Sequence, residues 1–379
     1  MAATDSYAGG DGRLSPLSTP SATRAVLEAH GIGTKYTLGQ NFLVNDDVLK
    51  KIIALAEVGE NDRVLEVGPG IGTLTIALLK HAASVIAIER DPDLPAVLAD
   101  TLHPWREKFA LIEKDALDVT RDDIVAAMVE IGGDTGYPDR ASSAANETAQ
   151  WAVSQSEDCL SESGYPVAPP QEDLQLSLPS KLVANLPYAV AATVVLDYFE
   201  SFPFLDSATI MVQKEVADRM AAAVGTKNYG AYTVKLGLYV EPAGRFAVGP
   251  GNFFPPPRVD SAVIRLNRRV PLMADGAPAS PEVIAAAALM ADAAFTNRRK
   301  TIANSCKTYF SGRGPISLGA GPSAQEGAPG IVLPDGAAIA ERLAAIFDAA
   351  TIDPRRRGET LTQQEFLALG AALLKVTAA

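Results

Sequence analysis

Asn185-Leu186-Pro187-Tyr188 places an amide, a proline-stiffened turn and an aromatic ring at one point of the chain. An exocyclic amine on a nucleic-acid base is a poor nucleophile, because its lone pair is delocalised into the ring. The Asn185 side-chain oxygen and the Leu186 carbonyl can both accept from such an NH2. That orients the lone pair for attack, while Tyr188 stacks on the face of the base. A turn around a buried tyrosine is the plain alternative. Three other strings weigh against it. Glu66-Val67-Gly68-Pro69-Gly70-Ile71-Gly72 follows an apolar run, and its glycines allow the backbone close to a ligand. A dinucleotide loop would need its third glycine at position 73, which is Thr73. The spacing found, with the acidic Glu66 before the first glycine, suits S-adenosylmethionine, whose sulfonium and amino groups are cationic. Glu89 can accept both hydroxyls of a ribose. Asp115 is placed to accept from an adenine amino group; taken alone, capping the segment that follows is its better reading.

These strings need a frame that brings them together. Arg63–Val67, Ser84–Ile88, Phe109–Glu113, Lys181–Ala184 and Ser207–Val212 read as five short strands, each candidate group lying at a strand end. Helical stretches alternate with them, including Asp46–Glu57 capped by Asn45 and Thr73–His81. Alternation of this kind implies α/β architecture: a Rossmann-like parallel sheet with helices on both faces. Tyr232–Val240 and Ser261–Leu266 read as a terminal antiparallel pair. Pro281–Ala294, Gly336–Ala349 and Thr362–Val376 make a small all-helical C-terminal domain.

The chain has 379 residues, 47% hydrophobic and 21% charged, enough for about two cored domains. Residues 1–24 read as a disordered leader, 25–270 as the sheet domain and 271–379 as the helical one. Residues 131–180 read as an acidic flexible insertion, and 311–335 as a loop insertion. No apolar run approaches the roughly 20 residues of a membrane span, and no secretory pattern opens the chain, so a cytoplasmic protein is expected. Cys159 and Cys306 read as free thiols. His30, His81 and His103 are scattered, and no metal site is expected. Net charge is −12, which argues mildly against a nucleic-acid partner. The average conceals a split: 131–180 carries −7, and 211–310 carries +6. Arg298-Arg299-Lys300, in a helix-forming stretch near Lys307, with Arg258, Arg265, Arg268 and Arg269, can contact phosphates. A solvated helix face is the plain alternative.

Taken in order, the strings resemble the KsgA/RsmA family of ribosomal RNA adenine N6,N6-dimethyltransferases. The residues that carry the resemblance are Leu38-Gly39-Gln40-Asn41-Phe42-Leu43, EVGPGIGTLT (66–75), IERD (88–91), KDAL (114–117) and NLPY (185–188). Further on lie VQKEVADRM (212–220), Tyr229-Gly230, FFPPPRVDSAV (253–263), FTNRRKTIANS (295–305) and Arg357-Gly358-Glu359-Thr360-Leu361. The match covers about 35–125, 181–310 and 336–375. The leader and both insertions fall outside it.

The resemblance implies that Asn41 and Leu43 contact S-adenosylmethionine and that Gly68 and Gly70 face its methionine part. Glu89 would hold the ribose, Asp115 the adenine amine, and Asn185 would sit between cofactor and target. Tyr188 and Phe254 would sandwich the target adenine. Arg258, Arg298, Arg299 and Lys300 would bind RNA. The reaction is in-line methyl transfer that rests on positioning and a desolvated aromatic cage. The target implied is two adjacent adenines in a hairpin loop near the 3′ end of small-subunit (16S) rRNA, within an assembling 30S particle. A role in ribosome biogenesis, a monomeric state and no membrane partner complete the expectation. Two rivals stand beside it: the related large-subunit methyltransferase of macrolide resistance, and a non-catalytic RNA-binding assembly factor. A nicotinamide dehydrogenase fails on glycine spacing.

Overall fold

The computed structural model describes residues 12–33, 40–131, 178–313 and 337–378. Its strands are β1 (Phe42–Leu43), β2 (Arg63–Val67), β3 (Ser84–Ile88), β4 (Phe109–Ile112), β5 (Lys181–Asn185), β6 (Ser207–Gln213), β7 (Val240–Val248), β8 (Phe253–Phe254) and β9 (Ser261–Arg268). The first six helices are α1 (Pro20–Ala29), α2 (Asp46–Ala56), α3 (Thr73–Leu79), α4 (Pro95–Thr101), α5 (Arg121–Ile131) and α6 (Ala191–Ser201). After them come α7 (Lys214–Met220), α8 (Ala231–Gly237), α9 (Pro281–Phe295), α10 (Ile302–Phe310), α11 (Ala337–Ala349) and α12 (Gln363–Ala378).

The main sheet runs β4-β3-β2-β5-β6-β9-β7. The five strands from β4 to β6 are parallel, and β9 and β7 continue the sheet antiparallel. The parallel strands are apolar on both faces because helices cover both. Val64 and Val85 face the core under α1 to α4; Leu65 and Ile86 face the core under α5 to α7. Strand order reverses at β2, with β3 and β4 to one side and β5 and β6 to the other. A crevice opens at that point, beyond the carboxyl ends of β2 and β5. Outside the sheet, β1 and β8 form a short antiparallel ribbon, Phe42 opposite Phe254 and Leu43 opposite Phe253.

A third core unites α9 to α12. Alanines at 286, 287, 291, 293 and 294 make α9 slim, so α12 comes close: a β-carbon on Gly370 would fall 2.6 Å from the Ala287 nitrogen. This core also recruits Tyr229, Val234 and Leu238, upstream of the boundary expected at 270. Cys306 is buried within it; Cys159 lies outside the described residues.

Three expectations are corrected. The disordered reading fails over 12–24, where Thr19 caps α1 by accepting from the Ala22 N–H at 3.1 Å. Leu17 is buried, and Asp46 accepts from the N–H groups of Leu14 and Ser15. Ser, Thr and Pro resemble a flexible tail in composition, yet they are also the residues of turns and caps. Residues 1–11 lie outside the described residues, as do 132–177 and 314–336, which make up most of the two insertions. The second correction is Tyr232–Val240, expected as a strand; Ala231–Gly237 is helix α8, and the strand begins only at Val240. Its apolar residues alternate, but alternation also makes two i,i+4 stripes on opposite sides of a helix. Tyr232 and Leu236 pack on the sheet core, Val234 and Leu238 on the helical core. The third is Arg298-Arg299-Lys300, which lies in the turn between α9 and α10 rather than in a helix. Thr301 then caps α10.

Candidate functional site

The crevice holds a cleft of about 500 Å³. Gly68, Gly70 and Gly72 all have positive φ (71°, 60° and 89°), so each glycine of the spacing is required by the backbone. The loop they form is wedged between two other segments. A β-carbon on Gly70 would meet the Phe42 ring at 3.1 Å, and one on Gly68 would sit 3.5 Å from Pro187. The N-terminal segment, the glycine loop and the NLPY turn therefore touch one another around the cleft.

Glu66 lines the cleft at the end of β2. It is 1% exposed, and its Oε2 has no hydrogen-bond partner among the described residues. Burial, with the charge of nearby Glu89, pushes its carboxyl up to about 8. The Thr73 hydroxyl, also on the cleft wall, is buried and unpartnered. Such atoms are costly unless a ligand completes them. Glu89 is held by its surroundings: Oε1 accepts from the N–H groups of Arg90 and Asp91, both at 2.9 Å. Burial raises its carboxyl above the usual range; those N–H groups and that of Gly70 oppose the shift. Asp115 does both things the sequence offered. Its Oδ1 accepts from the Leu117 N–H at 3.1 Å, capping the short 3-10 turn Ala116–Asp118. Its Oδ2 accepts from Arg90 Nη1 at 2.8 Å, on the cleft wall.

Asn185 ends β5 and donates from Nδ2 to the Asn41 carbonyl at 3.1 Å. A carbonyl can only accept, so this contact fixes which end of the amide is nitrogen. Oδ1 is left as an acceptor at the cleft. Asn41, Leu43, Leu186 and Tyr188 line the same space. The Tyr188 hydroxyl is hydrogen-bonded to Ser261 Oγ, and burial raises the phenol above its ordinary range.

Phe254 departs from expectation. It is not part of the cleft wall; its ring packs on the second core and lies under the Arg24 guanidinium at 5.3 Å. The structure brings Asn41, Leu43, Gly68, Gly70, Glu89, Asp115, Asn185, Leu186 and Tyr188 together, but does not assemble the Tyr188–Phe254 sandwich.

Several of the basic residues are structural. Arg268 donates to the carbonyls of Phe199, Phe202 and Leu205. Arg265 pairs with Glu57 at 2.8 Å, and Arg269 donates to Gln363. Arg298 donates to Glu359 at 2.8 Å and to the Thr226 carbonyl, tying the α9–α10 turn to two neighbouring loops. Arg258, Arg299 and Lys300 are exposed. Gln40, Thr73, Arg90, Lys114 and Gln213 also line the cleft without having been assigned a role. Gln40 donates to Asp91 at 2.7 Å. All five stand inside strings that carried the resemblance.

The residues present fit S-adenosylmethionine: a buried carboxylate with one oxygen unpartnered among the described residues for its cationic part, and a pre-oriented one for a ribose. At the reversal point of a Rossmann-like sheet, this defines the chain as an S-adenosylmethionine-dependent methyltransferase. Residues 33–314 match the family model "Ribosomal RNA adenine dimethylase", and the chain belongs to that family. Curated relatives bear the name ribosomal RNA small subunit methyltransferase A. The Geobacillus sp. protein is 32% identical, covering 95% of this chain and 98% of its own length. The Enterococcus faecalis protein is 33% identical, covering 95% and 97%. Among solved structures, a dimethyladenosine transferase from Plasmodium falciparum shares the fold with a TM-score of 0.57 at 20% identity, covering 88% of this chain and 98% of its own. The 23S rRNA methyltransferase ErmE does so at 0.50 and 21%, covering 88% and 99%. No helix of the described residues is long and apolar enough to cross a membrane.

Proposed function

We propose that this enzyme dimethylates N6 of two adjacent adenosines in a hairpin loop near the 3′ end of 16S rRNA. It would act as a cytoplasmic monomer on an assembling 30S particle, with a role in small-subunit biogenesis. The observation that carries the reading is the Asn185 amide, oriented by Asn41 so that an acceptor oxygen faces the cleft. The small-subunit target is supported by near full-length relatives that bear that name.

The cofactor supplies an activated methyl group on a sulfonium. Glu66 faces its cationic part, Glu89 accepts from ribose hydroxyls and Asp115 from the adenine amine. Gly68 and Gly70 let the backbone close in, and Asn41 and Leu43 complete the wall. The Asn185 oxygen and the Leu186 carbonyl accept the two N–H bonds of the target amine. This turns its lone pair toward the methyl group, in a site whose effect is positioning. Tyr188 stacks on the base, and Phe254 closes the far side after its ring leaves Arg24. Methylation acidifies the attacking amine, so water can take its proton. Arg258, Arg299 and Lys300 contact phosphates, and Arg298 holds their turn in place. The base must leave its stack to reach this turn, which favours a loop adenine.

The test is mass spectrometry of nucleosides from unmethylated small subunits incubated with the protein and S-adenosylmethionine. Dimethyladenosine at two adjacent positions is expected. Methylation of large-subunit RNA instead would select the resistance-type activity. Methylation of neither, with cofactor binding intact, would leave a binding role.

A further inference from the structure

Gln213 closes β6 at the cleft wall, together with Asn185 and Tyr188. Register fixes its direction. Asn185 lies opposite Met211, and Gln213 is two residues further on, so both side chains emerge on the same face of the sheet. Gln213 lies directly opposite Ser261 on β9, and residues so paired have adjacent side chains. Ser261 is the residue that holds the Tyr188 hydroxyl. The Gln213 carboxamide therefore stands between the anchor of the stacking ring and the amide that receives the target amine.

Among the described residues, no hydrogen bond occupies the Gln213 side chain. It occupies the N-cap position of α7, yet its side chain makes no cap hydrogen bond. Glutamine is not among the favoured capping residues. The first N–H of that helix, Lys214, is already taken by the Asp260 carbonyl at 2.9 Å. What remains is a half-buried carboxamide, with donor and acceptor side by side, facing the place where a base must sit. An adenine edge places a ring-nitrogen acceptor beside the exocyclic amine, and a carboxamide N–H can donate to it while Asn185 and Leu186 take the amine.

We propose that Gln213 reads the target base, donating from its carboxamide to a ring nitrogen that flanks the exocyclic amine. Asn185 and Leu186 then orient the amine, and Gln213 checks that the ring beside it is adenine. This rests on the adenine-methylating function proposed above.

The experiment uses small subunits reconstituted with adenosine, 1-deazaadenosine or 7-deazaadenosine at the two target positions. Methyl incorporation is measured for the wild type and for Gln213→Leu. On adenosine, Gln213→Leu should lower kcat/KM about tenfold, the scale of one lost base contact. One of the two deaza substrates should lower the wild type by the same factor and leave Gln213→Leu no worse, which also identifies the nitrogen. Gln213→Glu should gain activity as pH falls, because only a protonated carboxyl can donate. Calorimetric binding of S-adenosylhomocysteine to Gln213→Leu should match the wild type; its loss would assign Gln213 to the fold or the cofactor and overturn the proposal. An equal penalty on all three substrates, or none on adenosine, would overturn it too. A wild type that leaves adenosine-bearing subunits unmethylated would instead remove the function on which it rests.

Discussion

The cleft and the helical C-terminal unit handle polar groups in opposite ways. Around the cleft, Glu66 Oε2 and the Thr73 hydroxyl are buried without partners, and three glycines in succession hold positive φ. Around the helical unit and its seam with the sheet, charged groups are matched. Arg298 meets Glu359, Lys235 meets Asp292, and Arg356 meets Glu365. Arg268, at the end of β9, is matched by three carbonyls. Among the described residues other buried polar atoms also lack partners, but those of Glu66 and Thr73 lie where a ligand can meet them. Elsewhere the same residue types are consumed by the fold, which is why a run of arginines in sequence is a poor guide to an RNA surface.

The largest break in this contrast should come from Asn185→Ala. Methyl transfer should fall on the order of 10²–10³-fold, the usual loss for a preorganised acceptor or donor at a reacting group. Cofactor binding should stay measurable by calorimetry and thermal stability nearly unchanged. Unchanged turnover would sink the role given to the amide.

Arg268→Leu should show the reverse pattern. Three buried carbonyls lose their donor, costing on the order of 2–4 kcal/mol. Denaturant titration should register the loss, with cofactor affinity unaffected in the protein that remains folded. A neutral result would mean that water replaces the guanidinium.

A pair of glycines sharpens the comparison. Gly370→Ala drives a methyl group into the α9 backbone, an overpacking of about 1–3 kcal/mol, and should lower the melting temperature with cofactor binding retained. Gly70→Ala pushes on the Phe42 ring at the cleft and should weaken cofactor binding by more than it lowers melting. Equal effects of both on both readouts would erase the distinction between the regions.

The most gradual effect is a pH dependence. Glu66 is held at about 8 against an ordinary 4.5. The folded protein then binds more protons than the unfolded chain between those values. Stability of the ligand-free protein is fully present below 4.5 and is lost as pH rises toward 8. A cationic ligand favours the ionised carboxylate, so cofactor affinity should climb over the upper part of the same window. Glu66→Gln should flatten both slopes; slopes that persist would assign them to another group.

Much of the site was legible because its chemistry sits at strand ends. The parallel strands, the glycine loop and NLPY are short local strings whose types and spacing carry their meaning. Asn45 as the cap of α2 was readable for the same reason. The misreadings are of another kind. Tyr232–Val240 has a pattern that serves a strand or a helix between two cores, and only the presence of both cores decides. Arg268 and Arg298 look free in sequence because their partners are carbonyls and a glutamate brought in from elsewhere. Phe254, placed by analogy of motif, packs under Arg24, and its stacking on the base is a proposal. Thr19 and Asp46 order a segment that its composition describes as loose.

The β1–β8 ribbon has a consequence for synthesis. Asn45 reaches its Asn252 partner across 207 residues of sequence, and Asn185 reaches Asn41 across 144. A ribosome delivering this chain releases one wall of the cleft long before the other exists. The last residue of the cleft lining is Gln213, but the strand that pairs with the Phe42–Leu43 wall emerges later, with Phe253–Phe254. The wall that carries Phe42 and Leu43 thus gains its ribbon partner only near the end of translation of the sheet.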